Sequence, residues 1–64
     1  MTPPHYVLFQ RALEKIDRRI QNPAYSEVKG ALWVYRKAVF DGFELEKLDL
    51  CLRDIDRQVK RRRS

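Results

Sequence analysis

Three apolar stripes of equal length constrain this chain more than any other feature. Tyr6, Phe9, Leu13, Ile16 and Ile20 form the first, Tyr25, Val28, Leu32, Tyr35 and Val39 the second, and Leu45, Leu48, Leu52, Ile55 and Val59 the third. Each stripe advances by alternating steps of three and four residues. That spacing gathers five side chains on one face of an α-helix. Three matched stripes with short breaks between them predict an all-α fold, a compact antiparallel three-helix bundle with helices at about 3–21, 23–41 and 43–61.

The breaks carry their own signals. Thr2 suits a helix cap, with Pro3 and Pro4 in the first turn, where a missing N–H costs nothing. Asn22-Pro23 interrupts the first helix, because proline disfavours helical geometry in the residue before it and suits the first turn of a new helix. Asn22 is the expected cap of that second helix, or Ser26 if it starts later. Gly42 supplies the left-handed stop of helix two, and Phe43 is set to act as an apolar staple ahead of helix three. Gly30 lies inside helix two, and the expected reason is close approach of a neighbouring helix. Glu14–Arg18, Asp49–Arg53 and Asp56–Lys60 are spaced as acid-before-base ion pairs along single helices.

Sixty-four residues make a single small domain, 1–64, whose core is modest relative to its surface. Ordering such a chain costs roughly 1.5 kcal/mol per residue, so apolar burial has to offset nearly all of that. Cys51 is the only cysteine and His5 the only histidine, which leaves neither a disulfide nor a Cys/His metal site to assist. Well-packed helices or self-association remain, and 44% apolar residues suffice for the former. No stretch approaches the ~20 apolar residues of a membrane span. The first residues lack the positive charge and apolar run of a secretory signal. With a lone cysteine, the expectation is a cytoplasmic protein.

The net charge is +5, and Lys60, Arg61, Arg62 and Arg63 supply four of those charges. Residues 1–59 hold ten bases against nine acids, so the basic excess reads as a C-terminal tail, 60–64. Such a run contacts phosphates, steers towards an acidic protein surface, or simply complements the helix dipole.

No residue pattern spells a reaction. His5 stands near a terminus beside two prolines, and Cys51 at the edge of the third stripe has no histidine near it in sequence, so it reads as a small apolar filler. The acids lack metal-ligand spacing. The expectation is therefore a non-enzymatic chain with no catalytic residue, no metal and no cofactor. A repeated pattern, Leu-x-x-Ile-Asp-Arg-x-Ile/Val, occurs at Leu13–Ile20 and Leu52–Val59. It reads either as a duplicated docking patch of Asp17/Arg18 and Asp56/Arg57 or as chance between two amphipathic helices.

Helix two carries the most specific feature. Trp33 lies off the main stripe, with Lys29, Gly30, Arg36, Lys37 and Phe40 around it at helical spacing. Helix two touches both other helices and needs a wide apolar arc, which favours Trp33 packing inward. The other reading is an aromatic and basic contact face, since tryptophan and arginine dominate interface hot spots. The leading functional expectation is a small regulator, inhibitor or adaptor. It docks on a larger partner with an acidic surface through Trp33, Arg36, Lys37, Phe40 and Lys29, steered by the basic terminus. The alternative is DNA or RNA binding, with the same basic residues on phosphates and Trp33 stacked on a base. A dedicated major-groove reader is disfavoured, because Glu44, Glu46 and Asp49 at the start of helix three repel phosphates. A homodimer hiding Trp33, Phe40, Leu8 or Leu50 is a further use of the surplus apolar surface.

Overall fold

A computed structural model describes residues 5–63, with side chains through Arg62. Three α-helices fold back on one another: α1 at His5–Gln21, α2 at Lys29–Phe40 and α3 at Leu45–Arg63, with a 3-10 helix at Pro23–Val28 leading into α2. Cross-helix contacts fix the topology as up-down-up. Phe9 meets Phe40 and Asp17 meets Arg36, so α1 and α2 are antiparallel. Lys15 meets Asp49 and Arg19 meets Asp56, so α1 and α3 are parallel. The predicted cap at Thr2, with Pro3 and Pro4, lies outside the described residues.

The three stripes build the core. Ile16, Leu32, Leu48 and Leu52 are the largest fully buried side chains, joined by Val28, Val39, Ile55 and Val59. Phe9, Leu13, Ile20, Tyr25, Tyr35 and Leu45 pack against them half-buried. Two positions depart from the pattern. Tyr6 is exposed, and Ala12, off the stripe, is buried. Tyr6 lies a turn beyond Phe9 at the start of α1, whereas Ala12 sits one turn before Ile16, where a small side chain admits a neighbour.

Helix two does not start as predicted. The Asn22 side chain accepts from the Ala24 N–H at 3.0 Å and the Tyr25 N–H donates to the Asn22 carbonyl at 3.0 Å, winding this stretch as a 3-10 helix. In 3-10 winding residues three apart eclipse, so Tyr25 and Val28 still share one edge and face inward. The apolar spacing is the same for both windings, which is why the stripe does not distinguish them.

The α2–α3 turn forms as expected, though both helices stop short of it. Gly42 takes φ +97°. The Phe43 N–H donates to the Ala38 carbonyl at 2.9 Å and the Gly42 N–H to the Val39 carbonyl at 3.2 Å, the paired bonds of a Schellman stop. Phe43 packs on the core, and α3 begins at Leu45 rather than 43. Gly30 is a correction: a Cβ placed there meets nothing within 4 Å, so no helix approaches it. At its other end α3 runs to Arg63, so Lys60, Arg61, Arg62 and Arg63 belong to its last turns; Ser64 lies outside the described residues.

Candidate functional site

The helical spacing of Trp33, Arg36 and Phe40 stacks them up one side of α2. The Arg36 guanidinium carbon lies 5.6 Å from the Trp33 ring centre and 5.4 Å from that of Phe40. The guanidinium thus stands between two rings in cation–π contact. Its Nε donates to Asp17 Oδ1 of α1 at 3.0 Å, which holds the side chain in place. Phe40 in turn meets Phe9 of α1 edge to face, with centroids 5.2 Å apart. The ladder Trp33–Arg36–Phe40–Phe9 therefore runs along the α1–α2 seam.

Inward packing of Trp33 is overturned, because 54% of its surface is exposed, as is 57% of Phe40. The core needs no wider arc on α2 than Leu32, Tyr35 and Val39 supply, with Val28 of the 3-10 helix ahead of them. Lys29 and Lys37 flank Trp33 one turn either side, both exposed and with no ion pair or hydrogen bond. The five residues singled out on helix two thus share one accessible face. Its rings are in contact with Arg36 and, for Phe40, with Phe9, and the charge of Arg36 is already balanced by Asp17.

A second polar cluster holds the bundle together. Arg19 donates to Asp56 through both Nε and Nη2, at 2.9 and 2.8 Å, and the Tyr25 hydroxyl donates to the same carboxylate at 2.7 Å. One aspartate thereby joins α1, the 3-10 helix and α3. The Arg19 hydrogen bonds hold the Asp56 carboxyl below its usual range, against a smaller opposing effect of burial. The same carboxylate raises Arg19 and, by accepting the phenol proton, raises Tyr25.

Sequence reasoning missed this clasp because it depends on helix register. The repeated Leu-x-x-Ile-Asp-Arg pattern was its visible trace. In each copy the aspartate follows a buried isoleucine, stands at the rim of the core and reaches a neighbouring helix: Asp17 to Arg36, Asp56 to Arg19. The duplicated acid is structural. The arginine after it, Arg18 or Arg57, points to solvent without a partner.

The predicted ion pairs within single helices are not formed. Asp49 is drawn to Lys15 of α1 at 3.1 Å instead of Arg53, and Asp56 to Arg19 instead of Lys60. Arg18 does not engage Glu14. Arg11, Arg18, Arg53, Arg57 and Lys60 are all exposed without a hydrogen bond or ion pair. Of the terminal run, Arg62 pairs with Glu27 of the 3-10 helix, tying down the end of α3.

Cys51 is half-buried against Tyr35, whose hydroxyl is raised by burial and then by Cys51 and Asp54. His5 is exposed at the start of α1. Among the described residues no three His, Cys, Asp or Glu side chains cluster as metal ligands, and no helix is long and apolar enough to cross a membrane. Leu50 and Val34 are also exposed; Leu50 stands on α3 about 180° from the core stripe. Comparison with protein-family models, with curated proteins and with solved structures finds no match in any of the three.

Proposed function

We propose that this chain is a small non-enzymatic interaction protein, a regulator, inhibitor or adaptor, that docks on a larger protein through the Trp33 face of α2. The observation that carries the reading is the exposed ladder of Trp33, Arg36 and Phe40, with Arg36 held between the rings by Asp17. Large exposed aromatics held rigid lose little entropy on binding, which is the property of an interface anchor. Lys29 and Lys37 at the rim favour a partner with acidic groups around an apolar pocket. The basic run of Lys60, Arg61, Arg62 and Arg63, with Arg62 offset by Glu27, adds a positive field that speeds encounter with such a surface. The single free cysteine, Cys51, is in keeping with a reducing cytoplasm.

Site-specific photo-cross-linking tests the reading. A photoreactive residue at position 33 is expected to capture one protein partner, and Phe40→Ala is expected to abolish the capture. The same group at position 50, on the far side of α3, is expected to capture nothing. Equal capture from both positions, or capture indifferent to Phe40→Ala, overturns the reading.

A further inference from the structure

The exposed cations outside the Trp33 face form a pattern of their own. Arg11, Lys15 and Arg18 on α1 are spaced by four and three residues, and Arg53, Arg57 and Lys60 on α3 are spaced identically. Such steps put cations about 5 Å apart along each helix. The helices run parallel, and the Lys15–Asp49 and Arg19–Asp56 contacts set Arg53 level with Arg18, where the two rows meet. The seam there is lined by Lys15, Arg18, Arg19, Arg53 and Asp49 over Leu52, and beside Arg11 by Leu8, Leu45 and Glu46; Arg57 and Lys60 continue the α3 row beyond it. Asp49 and Asp56 are occupied by Lys15 and Arg19, which removes the two acids that spacing alone assigns to Arg53 and Lys60. What faces outward is five exposed cations without partners. Glu46 weakens the field near Arg11, so the centre lies at Arg18, Arg53, Arg57 and Lys60.

We propose that this α1–α3 face is a second binding surface, and that its occupant is the phosphate backbone of a nucleic-acid duplex. Two regular rows of cations over a span on the order of 20 Å match a linear array of phosphates, which carries one charge per ~1.7 Å of duplex axis. No aromatic side chain lines the groove, so the face has no platform for stacking single-stranded bases. Its apolar lining, Leu8, Ala12, Leu45 and Leu52, is buried or half-buried, and the side chains that reach outward between the rows are charged. Leu50 is the exposed large apolar side chain nearest the rows, and one such residue does not make a bilayer-inserting face. The contact is lateral, along two helices, and is centred past Glu46, with Asp49 already held by Lys15. It reads charge and no sequence.

Fluorescence anisotropy of a labelled ~30-bp DNA duplex tests the proposal. About five phosphate contacts predict a slope of log affinity against log salt near −4.5, a loss of a few hundredfold between about 50 and 200 mM. Arg18→Gln/Arg53→Gln is expected to reduce the slope by about 2 and to weaken binding roughly 10–100-fold at low salt. Neither side chain has a partner to lose, so circular dichroism and denaturation midpoint are expected to match the parent. Lys29→Gln/Lys37→Gln removes the same charge from the other face and is expected to leave most of the duplex affinity. Four results overturn the proposal: no duplex binding at low salt, equal weakening by the two double variants, tighter binding of a single strand, or tighter binding of phosphatidylserine vesicles. The Trp33 face stands or falls separately, since its cross-linking readout does not involve these arginines.

Discussion

Asp56 is the residue on which the assembly of this bundle turns. It accepts three charged or polar hydrogen bonds from two other elements, so Asp56→Asn leaves Arg19 with a poorer acceptor and breaks the fork. Hydrogen bonds to charged groups contribute about 1.5–3 kcal/mol, and the partial exposure of this carboxylate brings the expected loss to about 1–2 kcal/mol. Tyr25→Phe removes one bond and is expected to cost about 1 kcal/mol. The pH dependence has a definite sign. Because Asp56 in the folded state titrates below its unfolded value of roughly 4, its stabilisation is complete above that value and disappears as pH falls through the folded one. Tyr25, raised above its ordinary value, contributes below about pH 10 and loses that contribution as pH rises further. Urea midpoints at neutral pH and near pH 3 check the first: the gap between parent and Asp56→Asn is expected to narrow in acid. A gap that stays constant sinks the assignment. The residue scale is also where the sequence was least legible. Asp56 and Lys60 have ideal spacing for an ion pair, yet Asp56 prefers Arg19, because a bidentate guanidinium fork with a phenol beside it outweighs a flexible, exposed lysine.

At the scale of elements, the two glycines have opposite meanings that the sequence separates only in part. Gly42 follows the last apolar position of α2 and is followed by Phe43, the order that marks a left-handed stop, and it adopts φ +97°. Gly42→Ala forces a Cβ into that region and is expected to destabilise by about 1–2 kcal/mol. Gly30 sits near the start of α2 with open space around it, so Gly30→Ala is expected to stabilise by up to about 1 kcal/mol, less if the first turn frays. Thermal melts of the two variants moving in opposite directions are the check; two shifts of the same sign contradict the account. Helix number, order and the buried face were legible because period 3.6 is a global property of each segment, averaged over five side chains. The 3-10 start of the second segment was not, since Tyr25 and Val28 fall on one edge in either winding. Trp33 was misjudged for a related reason: the pattern identifies which face is apolar, but how wide an arc the neighbours cover depends on how closely the helices pack.

The whole molecule divides its surface by seam. The α1–α2 seam carries the aromatic ladder, and the α1–α3 seam is bordered by Arg11, Arg18 and Arg53. Both arrangements are by-products of how the bundle closes: Asp17 fixes Arg36 between the rings, and Asp49 and Asp56, engaged across the helices, leave Arg53 and Lys60 outward. Each surface therefore requires the core to be intact, and that core is small. A domain of this size has a stability of roughly 3–10 kcal/mol at 0.05–0.15 kcal/mol per residue. Leu52 is 1% exposed, at the centre of the third stripe and in line with Leu48 and Ile55. Leu52→Ala removes apolar contacts and leaves a cavity, a change that costs about 2–5 kcal/mol at buried leucines. With so little stability to draw on, the loss is expected to leave a substantial unfolded population near 37 °C. The unfolded fraction is then expected to carry neither of the proposed binding activities: circular dichroism, position-33 cross-linking and duplex binding fall together. Arg18→Gln/Arg53→Gln instead lowers duplex binding alone, and Phe40→Ala lowers cross-linking alone. A Leu52→Ala protein that loses helicity yet retains full salt-dependent duplex affinity would show that the cations act as a flexible basic chain, and would overturn the folded α1–α3 face.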